Sequence, residues 1–502
     1  MTPEAVHPLD LTKIDLGAPA AERDIHKGLE RYFVESEAFK RVEQGAKTII
    51  LGNRGVGKSA IFQMMAKRGR DQGAHVIELA PEDYSYELLK STLATEESGA
   101  WAKYGAYAAG WKYLIYVQVM KIVCSKTTRP KRGAMGDIHR YIRDNHYDPN
   151  MSKLSALVSY IKRLEGVKLG NLEGSLKTRA LEKLYKLEEI NHLLPKLNEV
   201  LGDKKVIVLV DELDKGWDSS EDAQSFVAGL FQACVQINLF SPNLRVYMSL
   251  RQELYDNIPA LYDDAQKYRD LIETITWTES GLLSLMAKRI RNSIPRLESG
   301  DDTEVWSSIF SEALDYRRSK SFNYLVDRTL YRPREIIQFS TQVIESAVED
   351  GSSPPLNYST VTTAEKSYSE DRTEDIASEY RFQYPGLLGV LDAFRGRIYT
   401  FSRSDLEYLC LEIICGDVPT GESAQEWLAP LDPESLIEIL WRVGFLRARA
   451  VGGIKGRRRS GSAYLGPYQV VSLSLSGIQT FQVHPMFRSY LGMREPKRNP
   501  PD

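Results

Sequence analysis

One eight-residue stretch constrains the fold of this chain more than any other. Residues 52–59 read Gly-Asn-Arg-Gly-Val-Gly-Lys-Ser, which fits the pattern Gly-x-x-x-x-Gly-Lys-Ser/Thr. An apolar, strand-like run at residues 48–51 precedes the stretch, and a helical pattern begins at about Lys58. A loop of this kind needs a strand before it and a helix after it, and the sequence predicts both. We therefore expect an α/β fold, and a chance match is the weaker interpretation.

The residue types in this loop suit the binding of phosphate groups. Glycines let the backbone wrap around an anion with its N–H groups pointing inward, and the helix N-terminus adds positive potential. Lys58 would reach the β- and γ-phosphates of a nucleotide, and the Ser59 hydroxyl would coordinate Mg²⁺. The predicted nucleotide-binding residues are Gly52, Asn53, Arg54, Gly55, Val56, Gly57, Lys58, Ser59 and Ala60.

A second motif favours hydrolysis over phosphate transfer to a small molecule. Residues 206–210 are a run of Val, Ile and Leu that is typical of a strand buried in a parallel sheet, and Asp211 and Glu212 follow it. Asp211 would hold the metal ion, and Glu212 would act as general base on the attacking water. Alone, the motif could equally be a core strand with a solvated acidic turn. Because both motifs occur together, the sequence predicts ATP and Mg²⁺ as cofactors.

The length of 502 residues predicts two to four domains. Ser59 and Asp211 are further apart in the chain than a minimal nucleotide-binding core requires, which predicts a helical insertion at about residues 84–200. Further strands are expected at residues 75–79, 245–250, 445–451, 469–475 and 480–483. We expect an N-terminal segment at residues 1–30, an ATPase core at 31–277 and a helical lid at 278–350. A linker with an acidic segment at 351–383, a C-terminal domain at 384–494 and a tail at 495–502 would follow.

The composition excludes several classes of protein. With 42% hydrophobic and 26% charged residues, the chain is not a disordered, collagenous or coiled-coil protein. The net charge of -3 excludes a protein that is basic throughout, although it says nothing about local patches. The sequence shows neither a secretory signal nor an apolar stretch of about 18 residues, so we expect a cytoplasmic protein without membrane contact. The four cysteines lack Cys-x-x-Cys spacing, which favours buried thiols over disulfides or a zinc site.

Three further segments have two interpretations each. Residues 365–379 contain six acidic and two basic residues, which favours a solvated, mobile segment. In the insertion, four aromatic residues recur near helical spacing, and a helix-packing stripe is favoured over a stacking platform for nucleic acid. These four are Trp101, Tyr104, Tyr107 and Trp111. A solvated loop is favoured over phosphate contact for the basic run Lys126, Arg129, Lys131 and Arg132.

The order of these motifs resembles a bacterial P-loop ATPase family related to the origin-recognition-type and signal-transduction (STAND) ATPases of the AAA+ group. The resemblance extends from about Tyr32 to Leu491, and its most specific part is Asp-Glu-Leu-Asp-Lys-Gly-Trp at residues 211–217. Met-Ser-Leu-Arg at residues 248–251 and Arg-Pro-Arg at residues 332–334 also contribute. The resemblance implies an AAA+/STAND-like parallel-sheet core with a helical insertion and a helical lid. Some members belong to antiviral defence systems, so it also implies a role in bacterial antiphage defence.

The resemblance further implies a sensor position at the end of the strand at residues 245–250. Ser249 or Arg251 would occupy it, because that strand end lies beside the nucleotide in a parallel sheet. A surface ion pair with Glu253 or Asp256 is an equally good interpretation of Arg251.

A second sensor region is implied at the start of a lid helix. Pro333 suits the first position of that helix, where no backbone N–H is needed. Arg332 or Arg334 would lie over the phosphates as a charge clamp, and capping or an interdomain salt bridge is the alternative. Arg269 is a candidate for an arginine finger that acts on a neighbouring subunit.

The C-terminal domain resembles a winged helix, with helices expected at residues 404–414 and 433–443. Six bases and no acids lie between Arg447 and Arg459, in and beside the loop that would form the wing. The wing would contact DNA while the preceding helix approaches the major groove, and docking to an acidic protein surface is the alternative. His484 is expected to be structural. The candidate nucleic-acid-binding residues are Lys455, Arg457, Arg458 and Arg459.

These features together predict an ATP-hydrolysing molecular switch that couples its nucleotide state to the binding of DNA or a partner protein. The alternative is a nucleotide-dependent oligomeric scaffold with little turnover, which recruits a separate effector protein. Further copies of the same chain are candidate partners in either case.

Overall fold

The computed structural model describes residues 9–79, 100–125, 132–146, 190–213, 217, 220–258, 261, 265–314, 319–449, 464–470 and 473–495. The chain divides into two compact units. The lid unit comprises Met1–Val34, Arg54–Gly57 and Thr276–Asp502, and the core unit comprises Glu35–Asn53 and Lys58–Ile275. Each unit has its own hydrophobic core. Within the described residues, no helix is both long enough and apolar enough to cross a membrane.

Helices and strands are numbered in chain order. The strands of the described residues are β1 Ile49–Leu51, β2 His75–Leu79, β3 Val206–Val210, β4 Leu244–Leu250, β5 Ile272–Thr274, β6 Thr400–Ser402, β7 Leu446–Arg449, β8 Tyr464–Leu465 and β9 Thr480–Val483. The α-helices are α1 Ala21–Asp24, α2 Leu29–Tyr32, α3 Glu37–Glu43, α4 Lys58–Asp71, α5 Ala100–Ser125, α6 Gly133–His146, α7 Leu194–Leu201, α8 Glu221–Asn238, α9 Gln252–Asp256, α10 Ala265–Tyr268, α11 Glu279–Ser293, α12 Asp302–Ser307, α13 Ser321–Val326, α14 Pro333–Glu349, α15 Tyr358–Glu379, α16 Leu387–Asp392, α17 Arg403–Cys415, α18 Glu422–Leu428, α19 Pro433–Arg442 and α20 Pro485–Arg488.

The core unit is built on a five-stranded parallel sheet with the strand order β2-β3-β4-β1-β5. Parallel strands need long crossover connections, and helices such as α4 and α8 are parts of them. Strands β2 and β3 have the predicted bounds, whereas β1 begins one residue later and β4 one residue earlier than predicted. Strand β5 was not predicted. Since all five strands are parallel, their carboxyl ends lie at one edge of the sheet.

Helix α5 lies in the predicted insertion and packs against α8 in the core unit. The rings of Tyr107 and Trp111 are buried, with centroids 5.7 Å and 4.8 Å from the ring of Phe226. The helices approach closely at Gly229, where a Cβ would lie 2.5 Å from the Cβ of Tyr107. The packing interpretation is therefore confirmed for these two aromatic residues. Arg132 is exposed, whereas Lys126, Arg129, Lys131 and the side chains of Trp101 and Tyr104 lie outside the described residues.

The C-terminal part of the lid unit contains a four-stranded antiparallel sheet with the order β6-β9-β7-β8. The predicted helices at residues 404–414 and 433–443 are confirmed as α17 and α19, with small differences at their ends. Strands β7 and β9 also lie where strands were predicted. The strand predicted at residues 469–475 is wrong for the described residues, because a 3-10 helix occupies Pro467–Gln469 and residues 473–475 are not in a strand.

Residues 365–379, interpreted from their charge as a solvated and mobile segment, belong to helix α15, which buries one face and leaves Glu370, Asp371 and Glu374 exposed. The helix begins after Asn357, whose side chain accepts a hydrogen bond from the backbone N–H of Thr360. Tyr368 is fully buried, and its ring stacks on Phe339 of α14 at a centroid distance of 4.2 Å. The hydroxyl of Ser369 donates to the carbonyl of Met486 at 2.6 Å. Helix α15 is thus part of the core of the lid unit.

The acidic residues on the buried face of α15 are neutralised by arginines of the same unit. The Glu365 carboxylate pairs with Arg328 at 2.7 Å and accepts a hydrogen bond from the Tyr324 hydroxyl at 2.7 Å. Glu379 pairs with Arg332 at 2.8 Å. Carboxylates are rarely fully buried unless they are paired, and these partners permit their burial.

Candidate functional site

The predicted phosphate loop lies between β1, which ends at Leu51, and α4, which begins at Lys58. Gly55 and Gly57 have φ angles of 80° and 100°, a region that residues with a Cβ rarely adopt. The Lys58 ammonium group donates to the carbonyl oxygens of Gly52 at 2.7 Å and Asn53 at 3.0 Å. The lysine therefore folds back over the start of the loop. Ser59 and Ala60 form the first turn of α4.

Two residues of the lid unit contact the middle of this loop. The backbone N–H of Arg334 donates to the carbonyl of Gly55 at 3.3 Å, and a Cβ at Gly55 would lie 3.0 Å from the Arg334 Cβ. The indole N–H of Trp277 donates to the carbonyl of Val56 at 2.8 Å. The structure thus brings Arg334 to the loop, as the resemblance implies. Trp277 was not predicted, and no local motif marks a tryptophan more than 200 residues from the loop.

The environment of the Arg334 side chain is unfavourable for a positive charge. Burial lowers the pKa of Arg334, and the nearby guanidinium of Arg54 lowers it further. The Nε of Arg334 is 3.4 Å from the Pro19 carbonyl oxygen, a long hydrogen bond that compensates little. A bound anion would relieve both effects, because an opposite charge favours the charged form of the arginine.

The acidic pair lies directly after β3. The Asp211 carboxylate accepts hydrogen bonds from the Ser249 hydroxyl of β4 and, at 2.9 Å, from the backbone N–H of Glu212. These bonds fix the orientation of the carboxylate. Glu212 has a φ angle of 58°, which is uncommon for a residue with a side chain. Backbone conformations of this kind occur often at functional sites, where the surrounding structure holds them.

Strand β4 connects the acidic pair to the phosphate loop, because it pairs with both β3 and β1. After β4, the backbone N–H of Gln252 donates to the carbonyl of Gly52 at 3.4 Å. Arg251 precedes it, and its Nη1 lies 3.5 Å from the Glu253 carboxylate. The ion-pair interpretation of Arg251 therefore has direct support. Of the two sensor candidates, Ser249 contacts the acidic pair.

Arg332 does not lie at the loop as a charge clamp. Its side chain is 5% exposed and pairs with Glu379 at 2.8 Å and with Glu335 at 3.7 Å. Burial alone would lower the pKa of Arg332, and the two carboxylates more than reverse this, so the pKa is raised. Arg332 therefore forms buried salt bridges, although within one unit and not between domains, and Arg334 is retained as the candidate for the second sensor.

The basic residues of the C-terminal domain divide into two groups. Arg447 does not contribute to a basic wing surface, because it is 1% exposed and bonded to Asp327 at 2.8 Å. Lys455, Arg457, Arg458 and Arg459 lie outside the described residues. His484 is fully buried, as expected of a structural histidine, and its Nε2 lies 2.7 Å from the Tyr468 hydroxyl. Arg269, the candidate finger, is exposed in the 3-10 helix Arg269–Leu271.

The helix predicted to approach the DNA major groove exposes acidic side chains. On α19, Glu434 and Glu438 are exposed, and Asp432 is exposed at its N-cap. The nearby bases are already paired, since Arg403 contacts Glu434 at 3.0 Å and Arg442 contacts Glu438 at 2.8 Å. This face therefore offers no excess of positive charge to attract phosphates, and the approach of α19 to the major groove stays a prediction.

Two family models match parts of the chain. Residues 29–111 match the Sigma-54 interaction domain, an AAA+ domain, over a range that includes β1, the phosphate loop and β2. Residues 280–377 match the FunZ-associated C-terminal helical domain, which here covers most of α11 to α15. Neither match extends over half of the chain.

The chain also aligns with two curated proteins. The "Putative transposon gamma-delta 80.3 kDa protein" of Escherichia coli (strain K12) is 22% identical over 504 residues, which cover 95% of this chain and 66% of that protein. "Allergen Alt a 2" of Alternaria alternata is 29% identical over 119 residues, which cover 24% of this chain and 60% of that protein. The chain thus spans somewhat less than two thirds of the length of either relative.

Among solved structures, the Aeropyrum pernix ORC2 protein (ADPNP-ADP complexes) is 10% identical with a TM-score of 0.35, over 93% of this chain and 92% of that one. Drosophila ORC bound to DNA is 10% identical with a TM-score of 0.28, over 98% and 93% of the two chains. Scores this low support no inference. The parallel sheet, the loop between β1 and α4 and the match to the Sigma-54 interaction domain instead define the class: a P-loop α/β fold of the AAA+ type with additional helical parts.

Proposed function

We propose that this chain binds ATP with Mg²⁺ and hydrolyses it as an AAA+-type switch. One observation carries the proposal: the phosphate loop after β1 and the carboxylate of Asp211 after β3 both lie beside the end of β4. The residues at that end contact both features, through Ser249 to Asp211 and through Gln252 to Gly52. Ligands in open α/β sheets bind at the carboxyl ends of the strands, where these residues are.

The donor set suits a nucleotide with Mg²⁺. The described residues contain no group of three or more side chains able to hold a metal ion, and the site offers the Ser59 hydroxyl and the Asp211 carboxylate. Mg²⁺ is commonly held by one or two protein oxygens, with water and substrate phosphates as its other ligands. When bound, ATP with Mg²⁺ supplies a phosphoanhydride bond with partly neutralised charge.

The residues of the site would then divide the work between binding and catalysis. The N–H groups of the loop and the Lys58 ammonium group would hold the phosphates, and Asp211 and Ser59 would hold the metal ion. Glu212 would accept a proton from the attacking water. Arg334 would stabilise the negative charge of the phosphates, and its response to their presence or absence would make it the sensor of the nucleotide state.

Replacement of Lys58 by alanine tests the binding step. We expect the wild-type protein to bind ATP and Lys58→Ala to lose roughly 10- to 100-fold in affinity, because a hydrogen bond to a charged group contributes about 1.5 to 3 kcal/mol. Equilibrium titration with ATP and Mg²⁺ measures this difference. Lys67→Ala is the matched control, since Lys67 lies on the same helix and forms an exposed pair with Asp71 at 3.1 Å. Equal affinity in Lys58→Ala and the wild type would contradict the assigned phosphate site.

We further propose that the C-terminal domain is a winged helix whose wing contacts nucleic acid. The order β6-β9-β7 and the helices before β7 support a winged-helix topology, and the acidic face of α19 makes the wing the better candidate for phosphate contact. The proposed contacts are Lys455, Arg457, Arg458 and Arg459.

Charge reversal tests the wing. With Arg457, Arg458 and Arg459 replaced by Glu, the affinity for double-stranded DNA should fall, and the slope of its salt dependence should decrease by about 0.9 per lost phosphate contact. Binding isotherms at several salt concentrations measure both quantities. Arg397→Glu, at an exposed arginine of the same unit, is the surface-charge control. Unchanged DNA binding in the triple variant would assign the wing to protein docking.

The role in antiphage defence is a proposal that rests on the family resemblance alone. Plating of phage on bacteria that express the wild type or Lys58→Ala would test it, and equal plating would count against it. The scaffold alternative predicts ATP binding without turnover.

A further inference from the structure

Two bonds within the lid unit, to which residues 54–57 of the phosphate loop belong, have a common geometry. The N–H of Arg334 and the indole N–H of Trp277 both donate to carbonyl oxygens of consecutive loop residues, Gly55 and Val56. A trans peptide group is planar, and its C=O and N–H point in opposite directions. When the Gly55 carbonyl points toward the N–H of Arg334, the Val56 N–H of the same peptide group points away from Arg334. In the next peptide group, the Val56 carbonyl points toward the indole of Trp277, and the Gly57 N–H therefore points away from Trp277.

This constraint is needed because the loop itself is permissive. Gly55 and Gly57 flank the two peptide groups, and glycine lacks the Cβ that limits rotation in other residues. No heavy atom would lie within 4 Å of a Cβ at Gly57. At Gly57, neither local sterics nor close packing restricts the peptide group that joins it to Val56, and the buried, branched side chain of Val56 limits rotation on the other side only. A rotated peptide group would turn a carbonyl oxygen toward the phosphates, where its partial negative charge repels an anion.

We propose that Trp277 is a positioning residue for phosphate binding. Its indole N–H holds the Val56 carbonyl so that the Gly57 N–H faces the phosphate chain. In this role Trp277 lies on the side of the loop opposite to the phosphates and does not contact the nucleotide. The inference rests on the proposed binding of ATP, and it adds a residue that the phosphate-loop motif does not contain.

Trp277 also packs at the start of α11, where a Cβ at Gly281 would lie 3.4 Å from the indole ring. The test must therefore separate the N–H from the ring. Trp277→Phe removes the donor and keeps an aromatic ring. Trp427→Phe is the matched control, because the Trp427 indole also donates to a backbone carbonyl, that of Pro385, at 2.8 Å and within the same unit.

The affinities for ADP and ATP are measured by calorimetric titration of the full chain, and thermal midpoints are measured without nucleotide. We expect Trp277→Phe to weaken the binding of both nucleotides by roughly 3- to 10-fold, as the loss of one hydrogen bond implies. Trp427→Phe should bind them like the wild type. Both variants should have similar thermal midpoints.

Unchanged affinity in Trp277→Phe, with normal binding by the wild type, would overturn the inference and leave the proposed function intact. An equal loss of affinity in both variants would also overturn it, since the loss would then follow from destabilisation. A wild type that binds no nucleotide would contradict the proposed function and this inference with it.

Hydrogen exchange gives a readout that needs no variant. ADP should slow exchange of the Gly57 amide in the wild type, and an unchanged rate would contradict the assigned orientation.

Discussion

Arg332 and Arg334 are two positions apart, yet their surroundings differ in ways that the sequence does not show. Arg334 contacts the phosphate loop at Gly55, whereas Arg332 pairs with Glu379, 47 residues further along the chain. Both residues fit the Arg-Pro-Arg pattern equally well. Which of them contacts the loop depends on the side of the helix start on which each residue lies. Partners this distant in sequence leave no local signal, so the sequence predicted the pair of candidates and could not choose between them.

Arg447 shows the same limit. It belongs to a run of six bases without acids, which predicts a solvated basic surface. In the structure its guanidinium is buried and bonds to Asp327 at 2.8 Å and to the Tyr468 hydroxyl at 3.0 Å. The carboxylate and the hydroxyl give the buried guanidinium polar partners, and burial of a charged group depends on such partners more than on neighbours in the sequence.

Buried beside this arginine, His484 makes the stability of the lid unit dependent on pH. Burial lowers its pKa well below the ordinary value, and the charges of Arg447, Arg488 and Arg328 lower it further. The Nδ1 atom accepts a hydrogen bond from the Met486 N–H at 3.1 Å, which also favours the neutral ring. The folded state therefore takes up no proton on His484 at a pH where the unfolded chain does.

The sign of the pH dependence follows from this difference. As the pH falls below about 6.5, the unfolded state binds one more proton, so stability should decrease by about 1.4 kcal/mol per pH unit. Thermal unfolding between pH 8 and pH 5.5 measures the slope. His484→Asn should be less stable at pH 8 but should show a shallower slope, whereas His26→Gln, at an exposed histidine, should keep the slope of the wild type. Identical slopes for His484→Asn and the wild type would contradict this account.

Among the elements, the first four strands of the parallel sheet were the most predictable. Strand β3 has the predicted bounds because a strand buried in a parallel sheet is a short run of branched apolar residues. Strand β2 also has the predicted bounds, although its sequence His-Val-Ile-Glu-Leu includes two polar residues. The two-residue strand β8 was missed, and so were β5 and β6. Strands β5 and β6 read Ile-Glu-Thr and Thr-Phe-Ser, and three residues with polar members give no periodicity to detect. Their pairing with β1 and β9 defines them instead.

Helix α15 was misassigned for a different reason. Its buried face carries polar residues as well as apolar ones, so hydrophobic periodicity is weak and the acidic composition dominates the sequence signal. The face is buried because Glu365 and Glu379 have arginine partners and because Ser369 bonds to the Met486 carbonyl. A charge count cannot distinguish acids that pair across a core from acids that face solvent.

At the scale of the whole molecule, the sequence predicted the α/β core, the helical insertion and the two motifs at the strand ends. The phosphate-loop pattern requires a strand and a helix, so one motif determined the local architecture. The division into two units could not be predicted, because residues 54–57 of the loop group with Thr276–Asp502 through contacts far apart in sequence. Trp277 and Arg334 provide those contacts.

We propose that this chain hydrolyses ATP with Glu212 as the general base. Turnover of ATP by the wild type and by Glu212→Gln, with and without double-stranded DNA, tests it most directly. We expect the wild type to release phosphate. Glu212→Gln should bind ATP normally but hydrolyse it more slowly by about 10²- to 10⁴-fold, the usual contribution of a general base. Equal, near-zero turnover in both proteins, despite normal ATP binding, would contradict the account and favour the nucleotide-dependent scaffold.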